Sequence, residues 1–190
     1  MSSSADVSFV TLSVPCPPDL ADTLQWQGET IVLRPIRAED EAQHRAFVER
    51  LQPDDLRMRF FHARHGLPPS ELERLTHIDY GHEMAFVAVR GTGDGGEETL
   101  GVVRAVGDDA GVETEMAIVV RSDLKGRGLG HALLAKMIVY LRAHGTQRVV
   151  ARVMHANDAM RELAIAQGFV VDTAGSDADA LRLVLALRPA

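Results

Sequence analysis

A glycine-rich turn joins a β-prone run to the most strongly helical segment of the chain. The run covers residues 112–120 and the helical segment covers 129–141, with Leu129, Leu133, Met137 and Leu141 on one face. The turn between them has glycine at positions 126, 128 and 130, so the backbone can approach a bulky ligand without Cβ clashes. Free N–H groups and the helix dipole at the start of the helix favour an anion there. The turn therefore predicts a strand–turn–helix unit built around an anion site.

Such a site has to be reconciled with the acidic character of the chain. Its 190 residues include 20 Lys and Arg against 27 Asp and Glu, a formal net charge of −7. This balance, without basic residues interleaved with aromatic ones, argues against a nucleic-acid partner. Cationic residues nevertheless gather around the turn, and we expect the remaining acidic surface to attract a cationic acceptor. The gathered residues are Arg121, Lys125, Arg127 and His131.

A second glycine run matches the dinucleotide-binding pattern G-x-G-x-x-G at Gly91, Gly93 and Gly96. A β-prone run follows it, whereas dinucleotide binding needs a helix N-terminus to receive the pyrophosphate. We interpret this run as a hairpin loop.

The cysteine content and the first residues of the chain limit the kinds of protein that this sequence can encode. The single cysteine, Cys16, excludes an internal disulfide and a cysteine-based metal site. The first residues lack the basic and apolar regions of a signal peptide, and no apolar run approaches the roughly 20 residues that span a bilayer. We expect a cytoplasmic protein without membrane contact. Its domain would cover residues 24–190, after an extension over 1–23 in which residues 7–14 could form a strand.

Hydrophobic periodicity predicts the order of elements. A hairpin over 24–33 that turns at Gly28 precedes three helices, over 38–51, 53–61 and 70–78. Strands over 84–89, 100–106 and 112–120 follow, then the helix over 129–141, a strand over 147–154, a helix over 157–167, and strands over 169–171 and 181–187. This order indicates an α+β (α/β) fold with a mixed sheet.

Three local details accompany this prediction. The first helix places Ala42, Ala46, Phe47 and Leu51 on one stripe. The segment 70–73 has the pattern of a capping box. Trp26 and the phenylalanines are expected to pack in the core or against the hairpin.

Two motifs resemble the GNAT superfamily of acyl-CoA-dependent N-acetyltransferases. Lys125-x-x-Gly128-x-Gly130 is similar to the family's pyrophosphate loop, Gln/Arg-x-x-Gly-x-Gly/Ala, with lysine keeping the charge. Asn157, Leu163, Gly168 and Phe169 match a second family pattern in spacing. That pattern frequently includes a tyrosine, proposed as general acid for the departing thiolate, where this chain has Ala164.

The resemblance extends over about residues 24–190 and is greatest to the catalytic domain of bacterial Pat-type protein lysine acetyltransferases. It rests on the segments 30–40, 56–61, 78–87 and 115–123. It implies a GNAT-like fold with a central, mostly antiparallel sheet flanked by helices, and a splayed pair of strands that binds the cofactor. The implied cosubstrate is acetyl-CoA, and the implied acceptor is a primary amine, foremost a protein lysine, in a monomer or homodimer. The implied cofactor contacts are Ile118, Val119, Val120, Lys125, Gly126, Arg127, Gly128, Leu129, Gly130, His131 and Asn157.

Amide formation needs a neutral amine, and a lysine ammonium titrates near about 10.4, so a base must remove its proton. Glu113 and Glu115 lie two apart in a strand rich in Val and Ile and share a face. The resemblance places the catalytic base at Glu115, with Glu113 in reserve. Glu83 and Tyr80, just before another strand, are candidates for the acceptor side.

Two alternative functions remain open, and a metal site is not expected. The acceptor could be a small amine, or the chain could bind acyl-CoA without catalysis, which Ala164 favours and Glu115 opposes. His62-x-x-His65 is the best candidate for a metal site, but no carboxylate completes a set, so we expect no metal.

Overall fold

An eight-stranded mixed sheet forms the centre of the molecule. The computed structural model describes residues 16–62, 66–108 and 112–187. The strands lie in the order β1-β2-β3-β4-β5-β6-β8-β7. Every neighbouring pair is antiparallel except β5 with β6, so the predicted mixed, mostly antiparallel sheet is confirmed. The strands are β1 (Asp22–Trp26), β2 (Glu29–Pro35), β3 (Glu83–Gly91), β4 (Glu97–Gly107), β5 (Glu113–Val120), β6 (Arg148–Met154), β7 (Val170–Asp172) and β8 (Ala180–Ala186).

In the described part of the chain, five α-helices cover the two faces of the sheet, each within a few residues of its predicted position. They are α1 (Glu41–Glu49), α2 (Pro53–Phe60), α3 (Pro69–Thr76), α4 (Leu129–Ala143) and α5 (Asp158–Ala166). Because successive side chains of β3 point to opposite faces, Val87 packs with the core beneath α1–α3 and Phe86 packs with the core beneath α4 and α5. The sheet is therefore a shared wall between two hydrophobic cores.

The buried face of α1 differs from the predicted stripe. Ala42 and Ala46 are exposed, whereas His44, Phe47 and Val48 are buried. The positions 44, 47, 48 and 51 follow the i, i+3, i+4, i+7 pattern of a core-facing helix, and turning them inward buries more apolar area than turning the alanines inward.

The capping box predicted at residues 70–73 is also wrong. Helix α3 begins at Pro69 and has Pro68 as its N-cap, without a side-chain cap hydrogen bond. Ser70 therefore lies inside the first turn. Proline suits the first helical position because its φ is preset and its missing N–H would be unpaired there.

The N-terminal hairpin is confirmed. Its turn places Gln27 at φ +53° and Gly28 at φ +82°, a left-handed pair that suits a two-residue hairpin loop. The predicted strand over residues 7–14 lies outside the described residues, and the domain boundary at residue 24 stays a prediction. None of the described helices has the length and apolar character needed to cross a bilayer.

Strands β5 and β6 separate soon after they meet. Their parallel pairing runs only from Glu113 opposite Arg148 to Glu115 opposite Val150. Beyond that point β5 continues to Val120 and β6 continues to Met154. The predicted splayed pair of strands is confirmed, and the gap between the two strands positions the candidate site.

Candidate functional site

A cavity of about 710 Å³ occupies the gap between β5 and β6. This volume lies in the range typical of ligand sites in proteins. Its walls come from four parts of the chain: the C-terminal half of α2, the length of β5 from Glu115 to Val120, the glycine turn with the start of α4, and β6 with α5. The lining residues that matter for the site are Asp55, Arg59, Phe60, Phe61, Glu115, Ile118, Val119, Val120, Lys125, Gly126, Gly128, Leu129, Gly130, His131, Arg152 and Asn157.

The wall along β5 has backbone groups to offer a ligand. On its far side β5 pairs with β4, where Val103 lies opposite Ile118 and Gly101 lies opposite Val120. Within the described part of the chain, no strand pairs with its near side beyond Glu115. Main-chain N–H and C=O groups on that edge can therefore hydrogen-bond an extended ligand. The predicted contacts Ile118, Val119 and Val120 all line the cavity.

The glycine turn forms an open cradle at the start of α4. Gly126 has φ +71° and Gly128 has φ +85°, and a Cβ at either position would meet no atom within 4 Å. Gly130 is packed more closely, since its Cβ would approach Leu163 Cδ2 at 3.3 Å. Gly128 is the N-cap of α4 and supplies no side-chain cap, so the first N–H groups of the helix remain available for an anion.

The cationic cluster around this turn is smaller than predicted. Arg121 is buried, and its guanidinium donates to Glu98 Oε2 at 2.8 Å and to Asp123 Oδ1 at 2.7 Å. Its charge is thus compensated inside the protein, and including it in the anion site was wrong. Arg127 is exposed but does not line the cavity.

Lys125 and His131 supply the charged and titratable side chains at the cradle itself. Both line the cavity. Nδ1 of His131 accepts a hydrogen bond from Gln167 Nε2 at 3.0 Å. Lys125 is half-exposed and its ammonium forms an ion pair with Asp55. The candidate anion site therefore consists of backbone amides, the α4 dipole and two side chains.

Helix α2 is tied to the turn through Asp55. Besides the Lys125 ammonium, its carboxylate accepts a hydrogen bond from the Ser122 hydroxyl, which itself accepts from the Gln52 N–H at 2.9 Å. These bonds tie the first turn of α2 to the segment that enters the glycine turn, beside the cavity. Asp55 was not predicted as a site residue, because its partners lie about 70 residues away and no local pattern marks it.

Among the described phenylalanines, Phe61 departs from the expectation of core packing, because it is exposed. The others follow it: Phe47, Phe86 and Phe169 are buried in the core and Phe60 packs against it. Phe60 and Phe61 line the cavity, and Phe61 adopts the left-handed conformation at φ +65°. Trp26, in contrast, is buried in the core as expected. Phe61 lies just past the last helical residue, where a left-handed residue commonly ends a helix, and this turns its ring toward the cavity.

Glu115 shares the cavity with a guanidinium. Glu115 lines the cavity at the point where β5 and β6 begin to separate, and Arg59 of α2 lines the same cavity. Burial lowers the pKa of Arg59 to about 10, the nearby Arg104 charge adds to this, and Glu115 acts in the opposite direction. The site thus holds an exposed carboxylate and a largely desolvated cation.

The other predicted acceptor-side residues lie elsewhere. Glu83 forms an ion pair with Arg104. Tyr80 donates its hydroxyl to the Ile36 carbonyl at 2.6 Å, and burial raises its pKa. Neither side chain lines the cavity.

Glu113 is held at the paired end of the strands. Its Oε2 accepts from Arg182 Nη2 at 2.6 Å and lies 3.4 Å from Arg148 Nε. It does not line the cavity, although it shares a sheet face with Glu115. The two-residue spacing in the sequence could not show which of the two carboxylates lies in the cavity. That is decided by the point at which β6 leaves β5, which falls after Glu113 and beside Glu115.

Helix α5 closes the cavity and carries the second motif. Asn157 caps this helix, because its Oδ1 accepts from the Met160 N–H at 3.2 Å, and it also lines the cavity. Its carboxamide NH₂ group is what a ligand could engage. Ala164 is fully buried in the core and offers no proton donor.

The described residues contain no group of three His, Cys, Asp or Glu side chains placed to hold a metal ion. Of the predicted pair, His62 is exposed, and His65 lies outside the described residues.

Comparisons with known proteins agree with this geometry. The model of the acetyltransferase (GNAT) family matches residues 51–169. Acetyltransferase PA5475 of Pseudomonas aeruginosa is 34% identical over 143 residues, which cover 75% of this chain and 76% of that protein.

Two solved structures share the fold. The GNAT domain of S. lividans PAT is 26% identical with a TM-score of 0.80, over 90% of this chain and 98% of that domain. The yncA structure from Salmonella typhimurium, described with its cofactor acetyl-CoA, is 19% identical with a TM-score of 0.66, over 83% and 94% of the two chains. The chain therefore belongs to the GNAT acetyltransferase family, has the GNAT fold, and is an acetyl-CoA-dependent acetyltransferase.

Proposed function

We propose that this acetyltransferase acts on a primary amine, the side chain of a protein lysine, with Glu115 as general base. The observation that carries the proposal is the position of Glu115. Its carboxylate stands in the cavity where β5 and β6 part, on the strand that leads directly into the anion-binding turn.

The residues around the cavity fit acetyl-CoA. The open cradle at Gly126 and Gly128 and the first N–H groups of α4 would hold the pyrophosphate, and the Lys125 ammonium, which is paired with Asp55, lies beside them with N–H donors to spare. The unpaired edge of β5 from Ile118 to Val120 would hydrogen-bond the pantetheine. Bound in this way, acetyl-CoA supplies a thioester whose acetyl carbon is open to attack.

Proton removal is the step that the chain itself must perform. A lysine amine with a pKa of about 10.4 is almost entirely protonated at neutral pH and cannot attack. Glu115 takes this proton, directly or through one water. The amine nitrogen then forms a bond to the acetyl carbon, the carbon–sulfur bond breaks, and CoA leaves as a thiolate, while the nitrogen gives up its second proton to water as the amide forms. A thiol pKa of about 8.5 makes this thiolate a fair leaving group, and water can reprotonate it in the absence of a tyrosine at position 164.

Access to Glu115 supports a macromolecular acceptor. Helices α1–α3 pack over β2–β5, while on the same sheet face Arg148, Arg152 and Val170 of β6 and β7 are exposed. An extended segment of another protein can therefore reach Glu115 across this open part of the sheet. The likeness to the GNAT domain of S. lividans PAT is consistent with such an acceptor.

The test is CoA thiol release from acetyl-CoA with a panel of proteins, lysine peptides and small amines. We expect lysine acceptors to be turned over, with Glu115→Gln lowering kcat by about 100-fold or more while the Kd for acetyl-CoA stays unchanged. The matched control is Glu113→Gln, which changes a carboxylate on the same strand and face but outside the cavity.

Each other outcome has a defined meaning. Equal loss of turnover in the two variants contradicts the role of Glu115. Turnover of small amines alone replaces the protein acceptor by a small one. Acetyl-CoA binding without thiol release from any amine indicates a silent acyl-CoA-binding module.

A further inference from the structure

We propose that Arg152 selects acceptor lysines that have a carboxylate side chain close by in the same peptide. This inference rests on the proposed function, because it concerns how the acceptor lies at Glu115. It reverses the expectation, drawn from the net charge alone, that the acceptor groove is acidic.

The position of Arg152 follows from the strand register. Val150 of β6 lies opposite Glu115, and Arg152 is two residues further along, on the same face. Two residues along a strand span about 6.6 Å and neighbouring strands lie about 4.8 Å apart, so the two α-carbons are separated by roughly 8 Å or more as the strands splay. Both side chains line the same cavity.

The guanidinium of Arg152 is held in place and remains accessible. Its side chain is 49% exposed, Nη2 donates to Asp177 Oδ2 at 2.6 Å, and its central carbon lies 5.6 Å from the centre of the Phe61 ring. Asp177 is itself anchored, because its Oδ1 accepts the N–H groups of Asp179 and Ala180, each at 2.9 Å. The bond to Asp177 uses one of five N–H donors, so the guanidinium can still bind a second carboxylate.

The other arginines on this open face differ from Arg152. Arg182 bonds Glu113 and Asp172, and Arg148 lies against Glu113. Neither lines the cavity. Arg152 is therefore placed to contact an acceptor that has its amine at Glu115.

Arg59 adds positive charge on the α2 side of the same cavity. An acceptor segment with several cations would be repelled by the guanidinium groups of Arg59 and Arg152. A lysine with a carboxylate nearby instead presents its ammonium to Glu115 and the carboxylate to Arg152. In an extended peptide, side chains two residues apart point the same way about 6.6 Å from each other. The matching acceptor is thus a lysine with Asp or Glu two residues away.

The experiment uses the full chain and pairs of lysine peptides that differ only by Asp or Asn two residues before or after the lysine. We expect wild-type kcat/KM to be about five-fold higher for one Asp peptide than for its Asn partner. This ratio should fall to about one in Arg152→Gln. It should persist in Arg148→Gln, which removes an arginine of similar exposure from the same strand and face but outside the cavity.

A second measurement does not depend on turnover. The same peptides, with acetyl-lysine in place of lysine, are titrated into the CoA-bound enzyme. The Asp peptide should bind more tightly than the Asn peptide in wild type and in Arg148→Gln, and the two should bind equally in Arg152→Gln. If no lysine peptide releases thiol, the lysine acceptor is wrong, yet this titration still decides the role of Arg152. The inference would be overturned if the wild type showed equal kcat/KM and equal binding for the paired peptides. It would also be overturned if the preference for the Asp peptide survived in Arg152→Gln, or if neither acetyl-lysine peptide bound.

Discussion

Trp26 donates its indole N–H to the main-chain carbonyl of Arg127 at 2.8 Å, across 101 residues of sequence. The bond connects the end of β1 to the middle of the glycine turn. The ring of Trp26 is buried in the core, so the donor is fixed in direction. A turn with two left-handed glycines has few internal constraints, and this bond supplies one from outside.

The first prediction is that Trp26→Phe weakens acetyl-CoA binding. Loss of one hydrogen bond of about 1 kcal/mol lets the turn sample other conformations, so the Kd for acetyl-CoA should rise about five-fold. Calorimetric titration measures the Kd, and thermal unfolding without ligand measures the packing loss separately. A lower melting temperature with an unchanged Kd would mean that Trp26 serves the core only.

The second prediction concerns the cradle at Gly128. Alanine there is strained at φ +85° and puts a methyl group into the space left for the pyrophosphate, so Gly128→Ala should weaken acetyl-CoA binding by about ten-fold or more. Gly95→Ala is the matched control, because Gly95 has φ +86° and equally open surroundings in the hairpin between β3 and β4.

Chemical denaturation and acetyl-CoA titration separate the two effects. Both variants should lose about 1 kcal/mol of unfolding free energy from the backbone strain, and only Gly128→Ala should lose affinity. A similar loss of affinity in Gly95→Ala would show that general destabilisation, rather than the cradle, is responsible.

The third prediction concerns the tie between α2 and the turn. Asp55→Asn removes the negative charge that the Lys125 ammonium and the Ser122 hydroxyl share. Because Asp55 is buried, we expect the free energy of unfolding to fall by about 1–3 kcal/mol. Asp54→Asn, at an exposed neighbouring position, should change it by less than about 0.5 kcal/mol, as urea denaturation can show. Equal effects in the two variants would contradict a special role for the Asp55 bonds.

The fourth prediction is a pH dependence of stability from His44. Burial lowers the pKa of His44 to about 4, and the Arg104 charge adds to the effect. The unfolded chain, with a histidine pKa of about 6.5, therefore binds the proton more readily than the folded protein does between these values. Stability from this group is present above pH 6.5 and is lost as the pH falls toward 4, by roughly 1.5 kcal/mol between pH 6.5 and 5.

Urea denaturation of wild type and His44→Gln across pH 5–7 measures this contribution as the difference between the two slopes. The wild type should lose more stability on acidification than the variant. His77→Gln, an exposed histidine in the same protein, should keep the wild-type slope. Parallel slopes for wild type and His44→Gln would contradict the prediction.

Much of the fold was predictable from sequence because the relevant signals are local. Hydrophobic periodicity located the helices and strands, since each element buries one face or stripe of its own residues. The glycine turn, with its strand before and helix after, marked the candidate anion site within a dozen residues. Glu115 was singled out by its pattern and by the resemblance, and it lines the cavity, while its role as the base stays a prediction.

The rest depended on contacts between distant segments. Arg121 is neutralised by Glu98, 23 residues earlier, and so is lost to the anion site. Asp55 reaches Lys125 across 70 residues, and Arg152 reaches the cavity of Glu115 from another strand. Sequence by itself determined which residues could form each element and where an anion could bind, because those depend on backbone conformation and nearest neighbours. Only the tertiary structure decided which charges are paired and which face the cavity, because strand register and the separation of β5 from β6 set those distances.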